Sequence, residues 1–143
     1  MAGKPNKVEW EPNLFIDASG SVAGRVASYV AKQALLGKTV AVVNCKRAVI
    51  TGNRNTTIRE YREIRHKGGA SLKGPFYPKH PDRIVKRMIR GMLRYTKGRG
   101  ETAFDKIRCF NSVPAEYKNT KLISVVKQLN TKTITLVDLG KEM

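Results

Sequence analysis

The sequence has few acids, two histidines, two cysteines and no long apolar run. Each shortage excludes something. His66 and His80 stand in basic loops with no carboxylate or thiol nearby, so no metal-ligand spacing forms. Cys45 and Cys109 each sit in an apolar segment; they are too few for a disulfide framework and read as reduced, buried thiols of a cytosolic protein. No stretch approaches the ~20 apolar residues of a membrane span. The start, "MAGKPNKVEWEPN", has no apolar h-region, so neither signal peptide nor anchor is expected. There is no G-x-S-x-G elbow and no pair of Asp or Glu at helical spacing on an apolar face, hence no hydrolytic constellation. No catalytic residue, cofactor or metal site is expected.

What is present is a core and a positive charge. At 143 residues and 41% hydrophobic content, the chain fits one domain, residues 1–143. A chain of this size buries roughly 70% of its unfolded surface. Lys and Arg number 28 against 11 Asp and Glu, a net charge of +17. The charge is focused: residues 46–99 hold sixteen cations and only Glu60, Glu63 and Asp82 as acids. A field of this sign attracts polyanions.

The chain alternates strand and helix signals. "NLFIDA" (13–18) reads as a strand leading to Ser19 or Ser21, either able to cap a helix. Residues 22–36 are Ala-rich and Pro-free, with Gly37 as the stop. Ala23, Val26, Ala27, Val30 and Ala34 fall on one small-residue face suited to a sheet. "TVAVVNC" (39–45) is a continuous apolar run, as in parallel strands covered on both faces. Together these form a βαβ unit. "AVIT" (48–51) is a further short strand, and "TIREYREIR" (57–65) a helix with the capping-box pair Thr57 and Glu60. Residues 66–81 carry Gly68, Gly69 and Gly74 with Pro75, Pro78 and Pro81, and form a long basic loop. Its glycine entropy and like charges predict that it is unordered before a partner binds. "ETAFDK" (101–106) fits one helical turn. "IRCFN" (107–111) and "TITLVDL" (133–139) read as strands, with a loop and a short helix between them.

The segment "DRIVKRMIRGMLRYTKGRG" (82–100) is the most one-sided. On a helical wheel Ile84, Val85, Met88, Ile89, Met92 and Leu93 fill one arc, and Arg83, Lys86, Arg87, Arg90 and Arg94 the opposite one. Like charges at i, i+3 and i+4 cost a few tenths of a kcal/mol per pair, which an anionic partner would offset. Arginine dominates this face, and its planar fork matches phosphate. The adjoining loop adds Lys73, Lys79 and His80, with Phe76 and Tyr77 available to stack on unpaired bases. RNA is the expected partner. DNA compaction fits less well beside stacking aromatics and an α/β core.

A nucleotide-dependent enzyme on an α/β fold is the alternative. "IDASGSVAGR" is a strand, a glycine turn and a helix start, where a phosphate could rest. Yet Gly20 and Gly24 do not make G-x-G-x-x-G, and Asn44 and Cys45 stand where a ribose-binding acid is needed. "GKT" (37–39) lacks the first glycine of a Walker motif and precedes a strand. Packing is enough to explain these glycines.

Taken together, "IDASGSVAGRVASYVAKQALLGKTVAVVNCKRAVITG", "FYPKHPDRIVKRMIRGML", "RG" and "AFDKIRCF" resemble ribosomal protein L-thirteen of the large subunit, from about Leu14 to Gly140. The short C-terminus is similar to archaeal members. The resemblance implies a three-layer α/β/α domain around a mainly parallel four-stranded sheet, with no catalytic activity. It implies large-subunit ribosomal RNA and neighbouring large-subunit ribosomal proteins as partners, in the cytoplasm on the ribosome, with no small-molecule substrate and no membrane. Carried onto this chain, the RNA-binding set is Arg47, Arg54, Lys67, Lys73, Phe76, Tyr77, Lys79, His80, Arg83, Lys86, Arg87, Arg90, Arg94, Lys97 and Arg99. After "RGML" the family commonly has Pro-His-Lys, whereas this chain has Arg94-Tyr95-Thr96, which predicts a longer helix there.

Overall fold

The computed structural model describes residues 10–71, 73–126 and 128–143; residues 1–9, read above as a start without an apolar leader, lie outside it. Four strands form a parallel sheet: β1 (Leu14–Asp17), β2 (Val40–Val43), β4 (Ile107–Cys109) and β5 (Ile123–Ser124), in the order β4-β2-β1-β5. All four residues of β2 are buried, as its unbroken apolar run requires. β3 (Val49–Thr51) leaves this sheet and pairs antiparallel with β6 (Thr133–Thr135).

The helix α1 (Ala23–Leu35) links β1 to β2 and buries Ala23, Val26, Ala27, Val30, Ala31 and Ala34. Side chains this small let the helix lie close to the sheet. The expected serine cap is not formed. Val22 occupies the N-cap position, the Ser21 hydroxyl is buried without a partner, and Ser19 N–H donates to Asp17 Oδ1 at 2.9 Å. Gly37 ends the helix as expected, with φ +94° and its N–H donating to Ala34 O at 3.0 Å.

The helix α2 (Arg54–Arg65) begins three residues before Thr57. Asn53 caps it, its side-chain oxygen accepting from Asn55 N–H at 3.0 Å, and Thr57 is buried inside the helix rather than at its end. A capping residue upstream therefore displaces the capping box read at Thr57 and Glu60. Asn53→Ala is expected to cost about 1 kcal/mol of stability in chemical denaturation.

The helix α3 (Pro81–Gly91) starts with Pro at its first position, where no N–H is needed. It ends at Gly91, so the longer helix expected around Arg94 is not formed. The chain turns instead. Tyr95 folds back toward Phe104 (ring centroids 6.4 Å apart), and Gly100 sits directly on the Arg94 backbone, where a Cβ could not fit. α4 (Arg99–Asp105) follows and leads into β4.

The segment "TITLVDL" is a strand only as far as Thr135. There α5 (Leu136–Glu142) begins, with Thr135 Oγ1 accepting from Asp138 N–H at 3.3 Å and donating to Asp138 Oδ2 at 2.9 Å. Leu136 and Leu139, three apart, are both fully buried.

Sheet register divides the core. Ile16, Val40, Val42 and Ile107 face one side, in one apolar cluster with the buried residues of α1, α3, α4 and α5. Phe15, Ala41 and Arg108 alternate to the other side, where the layer is thin. Tyr117, in a single 3₁₀ turn (Ala115–Tyr117), lies against Phe15 at 4.9 Å and Phe110 at 6.4 Å. Cys45 and Cys109 are free thiols, Cys45 buried and Cys109 half-buried. No described helix is long and apolar enough to cross a membrane.

Candidate nucleic-acid interface

The apolar seam of α3 does what its spacing predicts. Ile84, Val85 and Ile89 are fully buried, Leu93 nearly so, and Met88 is half-buried. Met92 is the departure: it lies beyond the helix end, 47% exposed.

The cationic arc splits into two kinds of residue. Arg83 and Arg94 are exposed, and Arg90 rests over the Tyr95 ring at 4.9 Å. Arg87 is engaged: it donates to Phe76 O at 3.2 Å and lies 4.6 Å above the Tyr77 ring. Lys86 turns inward, contrary to its place on the wheel. Its ammonium donates to Phe104 O at 3.3 Å and to Ile107 O, and sits 4.3 Å from the Phe104 ring centroid. Phe104 lies in the last turn of α4, so Lys86 acts as that helix's C-terminal cation. Burial holds its pKa below the ordinary lysine value, partly opposed by Cys109 and Asp105.

The loop is shaped by close backbone approaches and by arginines outside it. Gly68 adopts φ +137°, and a Cβ on Gly74 would collide with Lys67 O, so the two glycines close the neck of the loop. A Cβ on Gly140 of α5 would likewise collide with Lys79 O. Arg65, absent from the candidate set, donates to Tyr77 O at 2.9 Å, from the last turn of α2. Only its place in the general charge excess marked it in the sequence.

These anchors separate the two aromatics that looked equivalent. Tyr77 packs edge-on against Tyr61 (5.3 Å, 80°) with Arg87 on its face, and is not free to stack on a base. Phe76 is 84% exposed. It stands between a hollow of about 420 Å³ shared with Arg65, Lys79, His80 and Arg83, and one of about 230 Å³ shared with Arg83, Arg87 and Arg90.

The remaining candidates are more scattered. Lys67, Lys73, Lys79 and His80 are exposed along the loop, and Lys97 in the turn after α3. Arg47 is exposed in the turn between β2 and β3. Arg54 lies 3.7 Å from Glu142, which also takes Arg62 at 3.8 Å. Arg99 donates to Leu35 O at 2.8 Å, at the end of α1. Among the described residues, Arg54 and Arg62 are the only cations of 46–99 paired with a carboxylate.

Comparison with known proteins gives the same family as the residues did. The family model described as Ribosomal protein L13 matches residues 11–116. A large ribosomal subunit protein uL13 from Methanosarcina barkeri is 49% identical over 77% of this chain and 79% of its own. The protein of that name from Methanococcoides burtonii is 40% identical over 90% of this chain and 95% of its own. The one from Haloarcula marismortui is 41% identical over 94% and 93%. The chain belongs to the ribosomal protein L13 family and is a structural, non-enzymatic protein.

Proposed function

We propose that the chain is a component of the large ribosomal subunit that binds large-subunit rRNA through α3 and the 66–81 loop, and so helps that RNA fold. The whole chain acts as one domain in this reading, on cytoplasmic ribosomes beside other large-subunit proteins. One observation carries it: Arg83, Arg90 and Arg94 stand unpaired with any described carboxylate, and Arg83 and Arg90 line hollows shared with the projecting ring of Phe76. Among the described residues no carboxylate pairs with the cations of this face, and phosphates would. Arginine forks hold the backbone, while Phe76 offers a platform for an unpaired base.

Of the candidate set, Lys67, Lys73, Lys79, His80, Lys97 and Arg47 extend the phosphate contacts. Lys86 and Tyr77 support the surface from beneath. The test is the affinity for a large-subunit rRNA transcript measured across a KCl series. Five phosphate contacts give a log–log slope of roughly −4. A flat salt response would sink the proposal. Phe76→Ala is expected to weaken binding about tenfold at every salt concentration with the slope unchanged, because the variant removes a stacking surface and no charge.

A further inference from the structure

We infer that the hollow between the C-terminal ends of α1 and α3 is a slot for one unpaired nucleobase of the bound RNA. This rests on the RNA-binding reading above and adds a second contact, away from Phe76. The wheel places Met92 on the core side, yet α3 stops at Gly91 and leaves Met92 47% exposed beside Leu36, 62% exposed. The Arg99 guanidinium reaches across to Leu35 O and fastens the start of α4 over the end of α1. Two hollows of about 550 and 420 Å³ then meet at Leu35, Met92 and Arg99. Each has the volume of an ordinary small-molecule site.

The chemistry of the lining selects the occupant. The floor is aliphatic, from Leu35, Leu36 and Met92; the rim carries Lys32, Arg94, Lys97 and Arg99. No carboxylate lines either hollow. A flat apolar face with an anion on each side fits such a lining, and a nucleobase between two phosphates has that form. A protein segment generally brings charges of both signs, and half of them would meet repulsion here. Arg94 lies on the rim, in the turn just past the end of α3 that carries Arg90, so an RNA strand held by Arg90 and Arg94 already passes the slot's mouth.

The test uses the full chain and a large-subunit rRNA transcript carrying 4-thiouridine. In the wild type, irradiation is expected to cross-link RNA to the peptide containing Met92. The double variant Leu36→Ser with Met92→Ser removes exposed apolar surface only. It is expected to bind about tenfold more weakly at every KCl concentration, with the log–log slope unchanged. Unchanged affinity, with cross-links confined to other peptides, would overturn the slot. So would a variant that binds the transcript normally but fails to join subunits containing the other ribosomal proteins, since the occupant would then be protein. A wild-type chain that ignores the transcript altogether would overturn the RNA-binding reading itself, a result distinct from either.

Discussion

Replacing Arg83, Arg90 and Arg94 together by Glu is expected to weaken binding to large-subunit rRNA on the order of 10²-fold at about 0.1 M salt. The size follows from counterion release. Each phosphate contact contributes about 0.7–0.9 to the log–log salt slope, so losing three removes about 2 to 3 decades of affinity at 0.1 M. The slope itself should become shallower by the same 2 to 3. Stability should barely move. Arg83 and Arg94 are exposed and unpaired among the described residues, and Arg90 loses only a contact with an exposed Tyr95. Mixing signs on the face also relieves repulsion. Arg87 is left out on purpose, because its reversal would release Phe76 O and the Tyr77 ring as well as a charge. Filter binding over a salt series, with thermal unfolding of the same samples, separates the two effects. A large fall in Tm with little change in affinity would mean that this face is structural.

Lys86→Met should behave in the opposite way. Methionine fills a similar volume but cannot donate to Phe104 O of α4 and Ile107 O of β4, so both carbonyls lose the ammonium as a partner. The expected loss is about 2 kcal/mol, a fall in Tm of roughly 5 °C or more. The salt slope for RNA should stay as in the wild type, because the ammonium points into the protein. Burial gives Lys86 a folded pKa below the unfolded lysine value. Between those two values the unfolded chain holds the proton and the folded chain releases it. Wild-type stability should therefore rise with pH through that alkaline window relative to Lys86→Met, and the difference should be constant below it. Urea denaturation of both proteins at a series of alkaline pH values checks the sign. A gap that narrows with rising pH contradicts the assignment.

The contrast between those two variants shows what was legible in the sequence and what was not. β1, α1 and β2 could be read because local signals agreed: a Val-rich run, an Ala-rich helix and a glycine stop at Gly37. The amphipathic split of α3 was legible for the same reason. Lys86 was not, because its long stem can swing either way and its acceptors lie on α4 and β4, about 20 residues on. Phe76 and Tyr77 are neighbours of similar character. Tyr61, Arg65 and Arg87, on two other elements, decide which of them projects.

Element ends that differ from the sequence signals have local causes. Thr135 and Ile134 favour a strand, and that preference hid the Thr135–Asp138 cap that starts α5. Asn53 caps α2 from upstream of a complete capping-box spacing at Thr57 and Glu60, so two start signals compete in the sequence. β5 has only two residues, and it is a strand because Ile16 and Asp17 offer it an edge. Nothing within two residues could announce that. The turn after Gly91 depends on Gly100 meeting the Arg94 backbone, a contact between segments that a helical wheel treats as independent.

In the proposed function, Arg83 and Arg90 of α3 and Arg94 just past its end lie on RNA phosphate. Arginine footprinting tests it most directly: a dicarbonyl reagent applied to the chain alone and to its complex with the large-subunit rRNA transcript, read by mass spectrometry. Arg83, Arg90 and Arg94 are expected to react in the free chain and to be protected by the RNA, while Arg25, exposed on α1, reacts equally in both. Equal reactivity of Arg83, Arg90 and Arg94 with and without RNA would contradict the assignment.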